Sequence, residues 1–127
     1  MTADRHAIGR YSRNKGKRGE RAFCLLCKEH GYDNVHRTAQ VMGKTGEAGD
    51  VEGLPGIHVE VKNQERMQLY DWLAQSVRDA EANGKERIPI VAHKKNNADW
   101  IISMKASDWF KIYREYEAGL PSKTAQD

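Results

Sequence analysis

Apolar residues return along this chain with two different periods. In KGKRGERAFCLLCKEHGY, Phe23, Leu26, Cys27 and His30 recur at the spacing of one helix face, and Gly31 supplies the stop. NVHRTAQV has the length and residue mix of a strand, and MGKTGEAG after it reads as a glycine-rich loop. DVEG and IHVEVK are two further short strands. RMQLYDWLAQSVRDAEANG is a long helix closing at Gly84, with Leu69, Trp72, Leu73 and Val77 on its expected buried face. IPIVAHK and DWIISM are strands, and SDWFKIYREYEAG is a last helix, capped by Ser107 and stopped by Gly119. The order is helix, three strands, helix, two strands, helix. A helix between strands implies a crossover, so the expected fold is α/β with a mixed central sheet flanked by helices.

Length allows one core. With 127 residues, of which 39% are hydrophobic, the expected organisation is a basic flexible N-terminal arm over residues 1–15, a single domain over 16–119 and a tail over 120–127. No stretch has the roughly 18–20 consecutive apolar residues of a membrane span, and the N-terminal residues lack the apolar core of a secretory signal. The expected compartment is the cytosol, with no membrane partner. Two cysteines, Cys24 and Cys27, fit a reducing compartment better than a disulfide framework.

Charge is uneven. Residues 1–28 carry eight Lys and Arg against Asp4 and Glu20, a balance of +6, so the total of +3 leaves −3 for the rest. A basic arm on a mildly acidic body is the footprint of a phosphate-backbone binder, and Arg10, Arg13, Lys15, Lys17 and Arg18 are its candidate contacts. A merely solubilising tail has the same composition.

The parity of IHVEVK turns charge into chemistry. Ile57, Val59 and Val61 point to one face of the strand, and His58, Glu60 and Lys62 to the other. If Leu54, Pro55 and Gly56 form a three-residue hairpin loop with a left-handed glycine, Val51 faces Val59 and Asp50 lies across from Glu60. One side of the ribbon then gathers Asp50, Glu52, His58, Glu60 and Lys62. Two carboxylates held together repel unless a cation lies between them, and a hard dication with oxygen ligands is the usual solution. A lysine two residues further on can position a water beside it. That set equips a protein to hydrolyse a phosphodiester.

At this point the sequence resembles a family. Gly49 and Asp50, followed by EVK at Glu60–Lys62, are similar to the metal-binding signature of the PD-(D/E)XK nucleases, with Gly49 in place of the signature's proline. RGERAFCLLCKEHGYDNVHRTAQ resembles the opening of the archaeal and phage-type Holliday junction resolvases of that superfamily, so the resemblance covers about residues 16–80. It implies a restriction-endonuclease-like core, αβββαβ. It also implies Asp50 and Glu60 as ligands of Mg²⁺ or Mn²⁺, Lys62 as the catalytic lysine, and Glu20 as a further acid reaching the metal directly or through water. Gln75 resembles the glutamine that many members place beside the site. Arg37 matches an arginine that resolvases carry on the first strand, where it could face phosphates. Resolvases of this type often have a serine-rich glycine loop before the first metal acid, and here Thr45 is the hydroxyl that loop offers. The implied activity is cleavage of DNA, branched DNA or Holliday junctions above all, by a homodimer.

The remaining motifs weigh less. Cys24 and Cys27 form a Cys-x-x-Cys, but no second ligand pair stands at zinc spacing, so core packing is the expectation. GKT at residues 43–45 lacks the upstream glycine of a phosphate-binding loop. His58 sits near the acids and could bind metal or DNA, but an exposed polar histidine is the expectation. Lys94 and Lys95, in the turn HKKNN after a strand, suit a phosphate contact. Trp72, Trp100 and Trp109 are expected in the core or a dimer interface, and Trp109, Ile112, Tyr113 and Tyr116 form a stripe on the last helix. Three alternatives stay open: a restriction-type or replication-repair nuclease on linear or flapped DNA, a non-catalytic DNA-binding module of the same fold, and a thiol-based redox or zinc protein.

Overall fold

The computed structural model describes residues 5–38, 50–84 and 86–122. Its elements are α1 (Arg5–Glu29), β1 (His36–Arg37), β2 (Val51–Glu52), β3 (Ile57–Asn63), α2 (Leu69–Ala82), β4 (Ile88–Lys94), β5 (Ile101–Met104) and α3 (Ala106–Ala118). This is the order that periodicity predicts. The five strands form one sheet in the order β1-β2-β3-β4-β5. Only β3 and β4 run parallel, because α2 carries the chain back across the sheet between them. The other neighbours are antiparallel.

Val51 pairs with Val59, the register that the three-residue loop demands, and Gly56 takes the left-handed conformation at φ +84. The apolar face of the sheet is closed by α1. Phe23, Cys24 and Cys27 on that helix form one buried cluster with Val35, Val51, Val59, Val61, Ile90 and Ala92. Phe23 also meets the Trp100 ring at 5.3 Å.

The opposite face is covered too. Ser76 of α2 donates to the Ile90 carbonyl at 3.0 Å, and Trp72 lies 6.0 Å from the His93 ring. The fully buried line of α2 is therefore Trp72, Ser76 and Ala80, whereas Leu69, Leu73 and Val77 are half-buried. The sheet face beneath is polar, so small and polar residues seat the helix better than leucines.

Three expectations change. Residues 5–15 are not irregular: they are the first turns of α1, which runs 25 residues. No proline interrupts them, each internal glycine costs only about 1 kcal/mol, and Asn63 Nδ2 donates to the Lys15 carbonyl at 3.4 Å. Of the strand expected over NVHRTAQV, His36–Arg37 is the part seen as strand among the described residues; residues 39–49, Thr45 with them, lie outside the described residues. Ser107 lies inside α3, and Lys105 occupies the cap position without a side-chain hydrogen bond. No helix among the described residues is long and apolar enough to cross a membrane.

Candidate active site

A cavity of about 540 Å³ opens where the end of β3 meets α1 and α2, and its walls include Glu20, Asp50, Glu60, Lys62 and Gln75. Each reaches it for a local reason. Asp50 directly precedes β2, and its backbone N–H donates to the Val59 carbonyl at 2.8 Å. Its carboxylate accepts from the Val61 N–H at 2.9 Å, so the side chain lies along β3 beside Glu60. Glu60 and Lys62 share one strand face by the two-residue period. Gln75 descends from the middle of α2.

Glu20 comes from α1, and its approach depends on its neighbour. A Cβ on Gly19 would stand 2.7 Å from Asn63 Cβ, so only glycine lets the helix lie against the end of β3. Arg37 Nε donates to Glu20 Oε1 at 2.9 Å, a largely buried ion pair that ties β1 to α1. Arg37 thus fixes an acid of the cavity wall.

Electrostatics set Glu60 apart. It is 3% exposed, and burial raises its carboxyl from the usual 4.5 to about 7. A hydrogen bond from His58 works against the rise and the adjacent Asp50 carboxylate adds to it. Two neighbouring carboxylates, one pushed toward protonation, are the donor set that a dication relieves. The residues present therefore fit a hard metal ion.

His58 requires a correction. It is 1% exposed, not a surface residue, because α2 covers the polar face of β3. Its Nε2 lies 3.3 Å from Glu60 Oε1.

The expected phosphate contacts fall into separate groups. Lys15 lines the cavity, together with Tyr11, Asn63 and Arg66, which sequence pattern alone does not single out. Tyr11 and Lys15 are four apart and share the helix face that continues to Gly19 and Glu20, but that signal is visible only once residues 5–15 are known to be helical. Arg10, Arg13, Lys17 and Arg18 are exposed on α1. Lys94 lies over the Trp100 ring at 5.8 Å and Lys95 is exposed in the turn beyond it.

The thiols are structural. Cys24 and Cys27 are buried and unpaired with each other, and burial pushes both above the ordinary thiol range. His93 is likewise buried; its Nε2 lies 2.8 Å from Ser103 Oγ, and burial lowers its basicity.

Comparison with known proteins follows this geometry. Residues 11–125 match the model of a family described as "Phage putative PDDEXK endonuclease". The comparison with curated protein sequences returns no match. Among solved structures the fold is similar to that of Hjc from Archaeoglobus fulgidus, a Holliday junction resolvase from an archaeal hyperthermophile. The TM-score is 0.51 and the identity 22%, over 70% of this chain and 76% of that one. That likeness is one of fold.

Proposed function

The chain belongs to the phage PDDEXK endonuclease family, a family of nucleases, and from that premise we propose that it is a metal-dependent endonuclease acting on branched DNA. The observation that carries the proposal is the convergence of Glu20, Asp50, Glu60, Lys62 and Gln75 on one cavity from four separate segments of chain.

In this reading Asp50 and Glu60 hold Mg²⁺ or Mn²⁺, with Glu20 reaching it directly or through water. The ion supplies charge neutralisation at the phosphate and lowers the pKa of a bound water. The Val61 N–H and His58 fix the orientation of the two acids, and Arg37 fixes Glu20. Lys62 Nζ positions the attacking water and stabilises the charge that builds on the phosphoryl oxygens. Gln75 steadies the same phosphate from α2. Arg10, Arg13, Lys15, Lys17 and Arg18 track the backbone along α1, and Lys94 and Lys95 reach a more distant phosphate.

The resolvase fold supports branched DNA as substrate, and two matched cuts in a four-way junction call for two sites related by a two-fold axis. The surface supports a homodimer. Ile102 on the edge strand β5, with Trp109 and Phe110 on α3, leaves apolar surface exposed at the groove between α2 and β5. The test is incubation with four-way, flapped, nicked and linear DNA, with Mg²⁺ and with a chelator in its place. Metal-dependent cutting that favours the junction supports the reading. Equal rates on linear duplex would remove the junction from it, and no cutting of any DNA would remove the nuclease.

A further inference from the structure

The geometry points to a second cation position in this chain, built from His58, Glu60 and Asp79 behind the cavity and suited to a transition-metal dication such as Mn²⁺ or Zn²⁺. It is separate from the Asp50 side of Glu60, and nothing in the reading above uses Asp79.

Asp79 arrives by helical periodicity. It stands one turn beyond Gln75 on α2, as His58 stands two residues before Glu60 on β3, so the two lie one layer deeper than the cavity wall. One ligand atom from each of His58, Glu60 and Asp79 lies within 4.8 Å of the others. A cation about 2.0–2.3 Å from each donor spreads its donors by roughly 3–4.5 Å, so side-chain adjustments alone close this set on an ion.

The histidine at this place is buried and incompletely paired. Its ring is 1% exposed, one nitrogen faces Glu60 and the other, Nδ1, has no hydrogen-bond partner among the described residues. A buried polar atom left unpaired calls for a reason. Two carboxylates and one imidazole gathered under α2 are also a ligand set that a dication suits.

Donor chemistry selects the ion. Mg²⁺ takes oxygen ligands and keeps its waters, whereas an imidazole nitrogen in the set favours a first-row transition metal over it. Glu60, whose Oε1 faces His58 and which lies beside Asp50, is shared, and the two positions differ in how well Mg²⁺ competes for them.

The test reads bound metal and not cleavage. Mn²⁺ is titrated into the purified chain, and the bound ion is counted and probed by pulsed electron paramagnetic resonance for ¹⁴N coupling from a ligating imidazole. The wild type is expected to bind two Mn²⁺, one of them nitrogen-coupled and retained under excess Mg²⁺. Asp50→Asn loses the uncoupled ion and keeps the coupled one. His58→Gln and Asp79→Asn each drop the count to one and abolish the ¹⁴N coupling. Asp79 is only half-buried, so its variant decides the matter if His58→Gln does not fold. A wild type that binds one Mn²⁺ without nitrogen coupling, or coupling that survives in Asp79→Asn, overturns the inference. Neither result touches the nuclease reading, which the DNA assays decide.

Discussion

Gly19 of α1 and Asn63 of β3 touch so closely that a Cβ on residue 19 would stand 2.7 Å from Asn63 Cβ. The contact seats the helix that carries Glu20, Lys15 and Tyr11 against the strand that carries Glu60 and Lys62. Alanine is the better helix former by about 1 kcal/mol, but overpacking at a rigid contact costs about 1–3 kcal/mol. Gly19→Ala is therefore expected to lower the stability measured in urea by up to roughly 2 kcal/mol on balance. It should also weaken metal binding, because Glu20 is displaced. A variant as stable as the wild type would show that α1 shifts freely at this point.

Stability of the metal-free protein should depend on pH through Glu60. Its carboxyl is raised in the folded state to about 7 from 4.5, chiefly by burial, so folding favours the protonated form. The stabilisation from this group is complete below 4.5 and is lost as pH rises to about 7. Urea midpoints measured across that window should fall with pH in the wild type and fall less in Glu60→Gln. Divalent metal should reverse the loss at neutral pH. Parallel curves for the two proteins would contradict the environment assigned to Glu60.

The basic face of α1 should act through phosphates. Replacing Arg10, Arg13, Lys17 and Arg18 with Gln should weaken binding to all DNA sequences alike. It should also reduce the slope of log affinity against log salt by up to roughly 0.9 for each duplex phosphate that is no longer neutralised. All four are exposed on the helix, so the fold should be unaffected. An unchanged slope would make the face a bystander.

Most of this architecture is legible in the sequence because the strands are short and their parity is strict. Ile57, Val59 and Val61 alternate with His58, Glu60 and Lys62, and the loop of Leu54, Pro55 and Gly56 fixes which acid meets which. Two features are not legible, for physical reasons. Residues 5–15 carry no apolar stripe, so periodicity is silent there, and the bond from Asn63 to the Lys15 carbonyl joins residues far apart along the chain. The polar face of β3 reads as solvated, since alternation usually means one wet face. Here α2 lies on that face, and it buries His58 and Glu60 while leaving Leu69 and Leu73 half-exposed. Asp79 goes unnoticed for the same reason.

The apolar surface on β5 and α3 should hold two copies together. Trp109 stacks on Tyr113 at 5.2 Å, yet Trp109, Phe110 and Ile102 remain about half exposed. Ile102→Lys with Trp109→Glu should convert a dimer to a monomer by sedimentation and slow junction cutting far more than nicking of single strands. A wild type that sediments as a monomer at the concentration where it cuts would contradict the two-fold assembly.

If the acids of this cavity hold the metal that cleaves DNA, Asp50→Asn should separate cleavage from binding. Asp50 and Glu60 stand side by side with the Val61 N–H fixing one Asp50 oxygen at 2.9 Å. Asparagine preserves the shape of that side chain and removes its charge. Cleavage of a labelled four-way junction with Mg²⁺ and binding to the same junction without metal are measured on one preparation. Cleavage is expected to fall by at least about a hundredfold, the scale of losing one electrostatic contributor, while binding holds or tightens. Cleavage at the wild-type rate would contradict that role for the acids.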